Sequence, residues 1–174
     1  MQVYTAEYLV DRLTQKLNTF TKLAKKLDAK IPVPIIKYTN TYNYLINFST
    51  IVNRLTYYDP EDIPLQDDSE QDIKRKENSR NTKIKEMGDR LVTYLRIKFK
   101  ISPSIKDDGS LKLGRLSKKA DSMVKSEIAT FIKEYVQCGV RTCKSKITKI
   151  TNKKKGVLEI DCMCCGAKMI RKLE

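Results

Sequence analysis

The chain has 174 residues, enough for one ordinary domain or for a compact domain with a small appended module. Its 35 lysines and arginines outnumber its 21 aspartates and glutamates, and the formal charge of +14 favours a polyanionic partner. The sequence contains no histidine, which excludes Ser-His and Cys-His catalytic triads and histidine-ligated metals. It also lacks an apolar stretch of membrane-spanning length and a signal-peptide profile. We therefore expect a soluble cytoplasmic protein that does not associate with membranes.

The N-terminal segment predicts a helix. From Ala6 to Leu27, apolar residues recur at three- and four-residue steps, opposite a Lys-rich face. Such a stripe either packs on its own domain or docks on another protein, and its position before a proline-rich break favours docking. The IPVPII segment that follows forces extended backbone. The alternation over residues 41–48 then predicts a half-buried strand, and Ser49 or Thr50 can cap a short helix after it.

Residues 59–82 form a segment of unusual charge. Positions 59–72 hold seven acids and no base, and the positions that follow are rich in lysine and arginine. Because so few apolar residues are available for burial, we expect a solvated loop over about 59–82. It acts either as a polar linker or as an acidic decoy that competes with nucleic acid for the basic face of the protein.

Helical spacing returns between Ile84 and Phe99, and Asp108-Gly109 predicts a hairpin after it. Ser117 can cap a last helix whose inward face carries seven residues. The order of elements predicts an α+β fold: an N-terminal helix over 1–30, a small α-β domain over 31–136 and a cysteine ribbon over 137–174. The seven expected inward residues are Ala120, Met123, Val124, Ile128, Phe131, Ile132 and Tyr135.

All five cysteines lie in the C-terminal part of the chain, which favours a metal site over a disulfide scaffold. Two close pairs separated by about 20 residues place four sulfurs around one ion across a hairpin. Four thiolates leave no open coordination position, so we expect one structural Zn²⁺. Cys164 could replace Cys165 as a ligand, and buried or redox-active cysteines are the alternative to a metal site. The expected ligands are Cys138, Cys143, Cys162 and Cys165.

The ribbon is also rich in lysine, with six lysines and no acid over residues 144–155. They are expected on its first strand and at the tip of its hairpin, where at least part of them form one positive surface. This surface either keeps the protein soluble or contacts nucleic-acid phosphate. Aromatic residues are missing, so base stacking is not expected. The lysines are Lys144, Lys146, Lys149, Lys153, Lys154 and Lys155.

Several phrases of the sequence together resemble one family, the beta subunit of eukaryotic and archaeal translation initiation factor 2. These phrases are FIKEYVQC (131–138), IDCMCCGA (160–167) and SIKDDGSLKLGRLSKKADSMVKSEI (104–128). Upstream, TYNYLINFSTIVNRL (41–55) is similar to the strand-then-helix phrase of the family, and YTAEYLVDRLTQKL (4–17) resembles its N-terminal helix. The chain departs from the family in its first cysteine turn, which has two extra residues, and in the charged insertion at 59–82.

The resemblance implies a non-enzymatic subunit of a heterotrimer. Its GTP-binding gamma subunit would deliver initiator methionyl-tRNA to the small ribosomal subunit, and the beta subunit would modulate start-codon selection. By position, Tyr4, Leu9, Arg12 and Leu13 would contact gamma. The four cysteines would hold zinc, and the ribbon lysines would face tRNA, rRNA or mRNA.

Two other functions compete with this interpretation. The N-terminal domain of initiation factor 5 shares the architecture and stimulates GTP hydrolysis with an arginine near its N-terminus. The first arginine of this chain, Arg12, lies instead inside a predicted helix. A generic zinc-ribbon nucleic-acid binder, such as a transcription accessory factor, would share the cysteines and the lysines. Its prediction would leave the upstream domain unexplained.

Overall fold

The computed structural model describes residues 4–28, 30–117 and 119–173, in the first range without the side chains of residues 19, 20 and 23–28. Helices and two antiparallel sheets alternate along the chain, as the predicted α+β class requires. The helices are α1 (Ala6–Asp28), α2 (Phe48–Leu55), α3 (Glu70–Phe99) and α4 (Ala120–Phe131). The strands are β1 (Ile36–Tyr38), β2 (Asn43–Leu45), β3 (Ser104–Ile105), β4 (Leu111–Gly114), β5 (Thr148–Lys154), β6 (Val157–Cys162) and β7 (Lys168–Lys172).

The first sheet has the strand order β1-β2-β4-β3, and every pair is antiparallel. Because side chains alternate across a strand, Leu45, Leu111 and Leu113 all point to one face, where they are buried with residues of α2, α3 and α4. The predicted hairpin at Asp108-Gly109 is confirmed and joins β3 to β4. The predicted strand over 41–48 is shorter than expected, since only residues 43–45 are paired.

The expected N-terminal caps are wrong for two helices. Helix α2 begins after Asn47, whose side-chain amide bonds the backbone of Val33 and Ile35 and so ties the helix start to the extended segment. Helix α4 begins after Lys119, and the hydroxyl of Ser117 makes no capping bond. On α4, Met123 is 43% exposed, although the helical pattern predicts it inward.

Helix α3 is longer than its apolar pattern predicts, and the expected loop is wrong over residues 70–82. The Ser69 hydroxyl accepts a hydrogen bond from the Asp72 N–H (3.2 Å) and caps the helix start. The apolar stripe, which includes Met87 and Leu91, is confined to the second half of the helix, where it packs in the core. The first half is held by ion pairs.

Those ion pairs join α3 to the acidic segment, residues 59–68. Lys76 lies 2.5 Å from Asp68, and both side chains are less than a tenth exposed. The carboxylate of Asp68 also accepts a hydrogen bond from the Leu65 N–H (2.7 Å). One helical stretch further on, Lys83 pairs with Asp59 (2.7 Å) and with Asp62. Charge pairing therefore orders a region that buries little apolar surface.

The ribbon is a three-stranded sheet of order β5-β6-β7, whose third strand was not expected from the sequence. It shares its core with the rest of the protein, because Leu158 and Leu173 belong to the same buried cluster as Leu91 and Phe131. The Tyr135 hydroxyl donates to the Lys172 carbonyl (3.0 Å), which ties the end of α4 to β7. The division into three units at residues 30 and 136 stays a prediction.

Helix α1 confirms the first predicted helix, although the side chains of Phe20, Leu23 and Leu27 lie outside the described residues. None of the helices in the described part of the chain combines the length and the apolar character that a membrane crossing needs.

Two glycines should respond in opposite directions to replacement by alanine. In α3, a Cβ at position 88 would lie 3.7 Å from the Phe48 ring, an ordinary contact, so Gly88→Ala should stabilise the protein by about 0.5–1 kcal/mol through helix propensity. Gly109 has φ +80°, and a Cβ there would lie 2.7 Å from the Ser49 hydroxyl, so Gly109→Ala should cost about 1 kcal/mol or more. Urea unfolding of both variants measures this, and equal shifts would contradict it.

Asp68 should contribute stability that depends on pH. Burial opposes its ionisation, but the Lys76 ammonium and the Leu65 N–H outweigh burial and lower its pKa. A group with a lowered folded-state pKa stabilises above its unfolded pKa of about 3.9, and this contribution is lost as the pH falls through the folded value. Asp68→Asn should therefore cost about 1–2 kcal/mol at neutral pH, because water near the surface screens the pair.

Urea unfolding at neutral pH and at about pH 3 tests this expectation, since the difference from the native chain should shrink in acid. Asp67→Asn is the matched control, because Asp67 is 35% exposed in its pair with Arg12. An equal loss of stability in both variants would contradict a special role for Asp68.

Candidate metal centre and basic ribbon

Two backbone turns present the predicted ligands. In the first turn, the Cys138 N–H donates to the Ser145 carbonyl (2.8 Å), and Lys144 has φ +49°. In the second turn, the Cys162 N–H donates to the Ala167 carbonyl (2.8 Å), and Gly166 has φ +73°. In both, the residue after the second cysteine is left-handed, and the next carbonyl accepts from the first cysteine. The two extra residues of the first turn leave this shared geometry intact.

The turns bring four sulfur atoms together. All four Sγ atoms lie within 4.8 Å of one another, with 3.6 Å between Cys138 and Cys165 and 3.7 Å between Cys143 and Cys162. In tetrahedral thiolate sites with metal–sulfur bonds of about 2.3 Å, neighbouring sulfurs lie about 3.8 Å apart. The four predicted ligands therefore fit one tetrahedral metal ion.

Cys164 lies outside this group of four. Its thiol donates to the Ser145 hydroxyl (3.2 Å), and its side chain is exposed. The structure therefore brings Cys165, rather than Cys164, together with the other three sulfurs.

The thiols differ in how readily they ionise. Burial opposes ionisation of Cys162, but hydrogen bonds from the backbone of Cys165 and Cys164 outweigh it and lower its pKa to about 7. For Cys138, burial is the main cause that raises the pKa to about 12. Since only thiolates ligate metals, binding of an ion would release protons from this site.

The six ribbon lysines fall into two groups instead of one cluster. Lys144 and Lys146 precede β5, whereas Lys153 to Lys155 lie at its far end, about 20 Å away along an extended strand. Two lysines have acidic neighbours: Lys149 lies 3.3 Å from Asp59, and Lys153 lies 3.1 Å from Glu159. Binding of nucleic acid by these side chains stays a prediction.

The four expected docking residues lie on α1 and just before it. Leu9 and Leu13 are 53% and 58% exposed, and Tyr4 is 52% exposed and stacks on Tyr8. Arg12 differs from the others, because its guanidinium binds the acidic segment, with Asp67 at 2.8 Å. The structure therefore leaves the apolar side of α1 open and uses the polar side to hold the helix.

Sequence reasoning missed Arg90, a buried residue of α3. Its guanidinium donates to the Ile150 carbonyl and to the Asn152 side chain, both at 3.3 Å, and so contacts the free edge of β5. One signal was available: Arg90 lies three residues after Met87, so a cation occupies a core-facing position of the predicted helix. Asp59 and Lys83, which lie beside it, gave no comparable signal.

Replacing one cysteine of the four should impair metal binding, whereas replacing the fifth should not. Cys165→Ser removes a sulfur from the group and should weaken Co²⁺ binding by at least tenfold, with loss of the thiolate charge-transfer absorption. Cys164→Ser is the matched control in the neighbouring position and should bind like the native chain. Titration with Co²⁺ followed by displacement with Zn²⁺ measures both. Equal effects of the two substitutions would contradict the assignment.

Comparison with known proteins identifies the family. Residues 74–168, more than half of the chain, match a family model described as a domain found in initiation factors 2B and 5. The match includes most of α3, the hairpin, α4 and the ribbon with all five cysteines. No curated protein matches the chain significantly. The chain therefore belongs to the family of translation initiation factors that this domain defines.

Proposed function

We propose that the chain is a beta-like subunit of translation initiation factor 2 without a catalytic centre of its own. In this role it would help the GTP-binding gamma subunit to deliver initiator methionyl-tRNA to the small ribosomal subunit in the cytoplasm, and it would modulate start-codon selection. The family match supports initiation, and the open face of α1 carries the choice of a subunit that docks on another protein.

The open face of α1 is a continuous apolar surface. Leu9, Leu13 and Leu17 are each more than half exposed, and helical spacing puts them on one side together with Val10, which is 64% exposed. Exposed apolar surface of this extent marks an interaction site more often than a solvated face. The gamma subunit is the occupant that we propose, with Tyr4, Leu9, Arg12 and Leu13 at the contact.

The four cysteines are proposed to hold one Zn²⁺. A complete set of thiolates suits this ion, and it leaves no position for a substrate, so the metal would stabilise the fold of the ribbon. The RNA contact is proposed for the ribbon lysines at both ends of β5, with tRNA, rRNA or mRNA as partner. Their contacts with phosphate would weaken steeply with salt.

The main alternative is a GTPase-activating protein like initiation factor 5, which the same family model includes. Such activity needs a mobile arginine that reaches the γ-phosphate bound to another protein. Arg12 lies within α1, and its guanidinium binds Tyr8, Asp67 and Asp68. These contacts favour a structural role for Arg12. A generic zinc-ribbon binder is less consistent with a family match that extends upstream to residue 74.

Binding to purified gamma subunit tests the proposal. The native chain should bind gamma, and the double variant Leu9→Asp/Leu13→Asp should lose at least tenfold in affinity, because it places charges in the apolar contact. Removal of residues 1–28 should abolish binding. Isothermal titration calorimetry with gamma loaded with a GTP analogue measures these affinities.

Ile170→Asp is the matched control, since Ile170 is 68% exposed on β7 and its replacement adds the same kind of charge away from α1. Binding by the double variant equal to that of this control would contradict docking through α1. GTP hydrolysis by gamma, measured with and without the chain, separates the alternative, because a beta-like subunit should not raise the rate.

A further inference from the structure

A cavity of about 300 Å³ lies between α3 and the ribbon. One wall is α3, and the other is β5, the strand at the edge of the ribbon sheet. Arg90 reaches across from α3 and donates to the Ile150 carbonyl (3.3 Å). The cavity thus lies where the two parts of the protein meet and where β5 has no further strand beside it.

Positive charge predominates in the cavity lining. Lys83, Arg90 and Lys149 contribute three cations, and Glu86, at 3.6 Å from Arg90, is the one acid among the described lining residues. Burial lowers the pKa of Arg90, but a guanidinium keeps its proton in proteins. Since the Arg90 side chain is only 9% exposed, its charge is poorly solvated and favours an anion nearby.

Asp59 supplies an anion at this place. Its carboxylate lies 2.7 Å from the Lys83 ammonium and 3.3 Å from that of Lys149, so it bridges α3 and β5. Burial opposes ionisation of Asp59, but both lysines outweigh burial and lower its pKa. A carboxylate held between two lysines has the charge and the acceptor oxygens that a phosphate would present.

A second cavity continues this positive lining. It is lined by Arg90 and by Lys153, Lys154 and Lys155, with Glu86 and Asp89 as the acids. Arg90 and Asn152 border both cavities. A free phosphate would need only one of these places, whereas a chain of phosphates would use both. The arrangement therefore favours a polyanion.

We propose that Lys83, Arg90 and Lys149 form a binding site for an RNA backbone phosphate, and that Asp59 occupies this site until RNA displaces it. The inference rests on the RNA contact of the proposed function and adds residues that lie outside the ribbon. Asp59 acts as an internal competitor, and the Asp62 carboxylate, which also pairs with Lys83, keeps the acidic segment attached to α3 when Asp59 leaves.

Asp59→Asn tests the site, because asparagine keeps the shape of the side chain and removes the competing charge. It should raise the affinity for a fluorescently labelled, unstructured 15-nucleotide RNA roughly 3- to 10-fold in about 100 mM KCl. The dependence of log K on log salt should become steeper by up to about one, because counterions then replace Asp59 on the lysines and are released on binding. Fluorescence anisotropy over a range of salt concentrations measures both.

The matched control is Asp161→Asn, since Asp161 is 27% exposed in a pair with Lys168 and Asp59 is 28% exposed. It changes the net charge equally and should raise the affinity by no more than about twofold. In a Lys83→Gln/Lys149→Gln background, the gain from Asp59→Asn should vanish. Lys149→Gln alone, at a side chain 46% exposed, should bind RNA about threefold more weakly with a shallower salt dependence.

Three outcomes would overturn the proposal. If Asp59→Asn and Asp161→Asn bind RNA equally while the native chain binds it, the phosphate site is wrong and the RNA contact of the proposed function survives. If a poly-glutamate peptide of equal charge binds Asp59→Asn as tightly as the RNA does, the occupant is an acidic protein segment. If neither the native chain nor any variant binds RNA, the site and the proposed RNA contact both fail.

Discussion

Charge pairing between the acidic segment and the helix that follows it organises this protein. The first half of α3 carries many cations and little apolar surface, so it could not be held against the body by burial alone. Asp68 on Lys76, together with Asp59 and Asp62 on Lys83, anchors this half over several turns. The same segment contacts the ribbon through Lys149 and α1 through Arg12. Three parts of the chain therefore depend on one short acidic stretch for their positions.

The ribbon is attached to the rest of the protein by more than the peptide chain. Leu158 and Leu173 lie in the common core, the Thr148 hydroxyl donates to the Val136 carbonyl, and Arg90 contacts the edge of β5. An ion among the four cysteines would fix turns that continue directly into these strands. Folding of the ribbon around a metal and packing of its strands on the helices are consequently coupled, and removal of the metal would be felt beyond the ribbon itself.

The sequence predicted the features that follow from periodicity and from cysteine spacing. Helix α1, the hairpin at Asp108-Gly109 and the four close cysteines are all present. Prediction failed where charge replaced burial: the first half of α3 has too few apolar residues to be recognised as a packed helix, although Ser69 and Asp72 form a capping pair that marks its start. The strand β7 was missed because exposed residues dominate it. The bridge from Asp59 to Lys149 joins residues 90 positions apart, and no local pattern reveals such a contact.

The position of α1 follows from the same balance of forces. Tyr8 and Arg12 attach it by polar contacts with Asp67 and Asp68, while Leu13 and Leu17 border an open apolar gap beside Tyr57 and Met163. Polar contacts at a surface exchange with water at little cost, so a partner that covered the apolar face could move the helix without disturbing the core. Such movement would act on the acidic segment that also carries Asp59. If partner and RNA both act on this segment, linkage requires each to change the affinity of the other by the same factor.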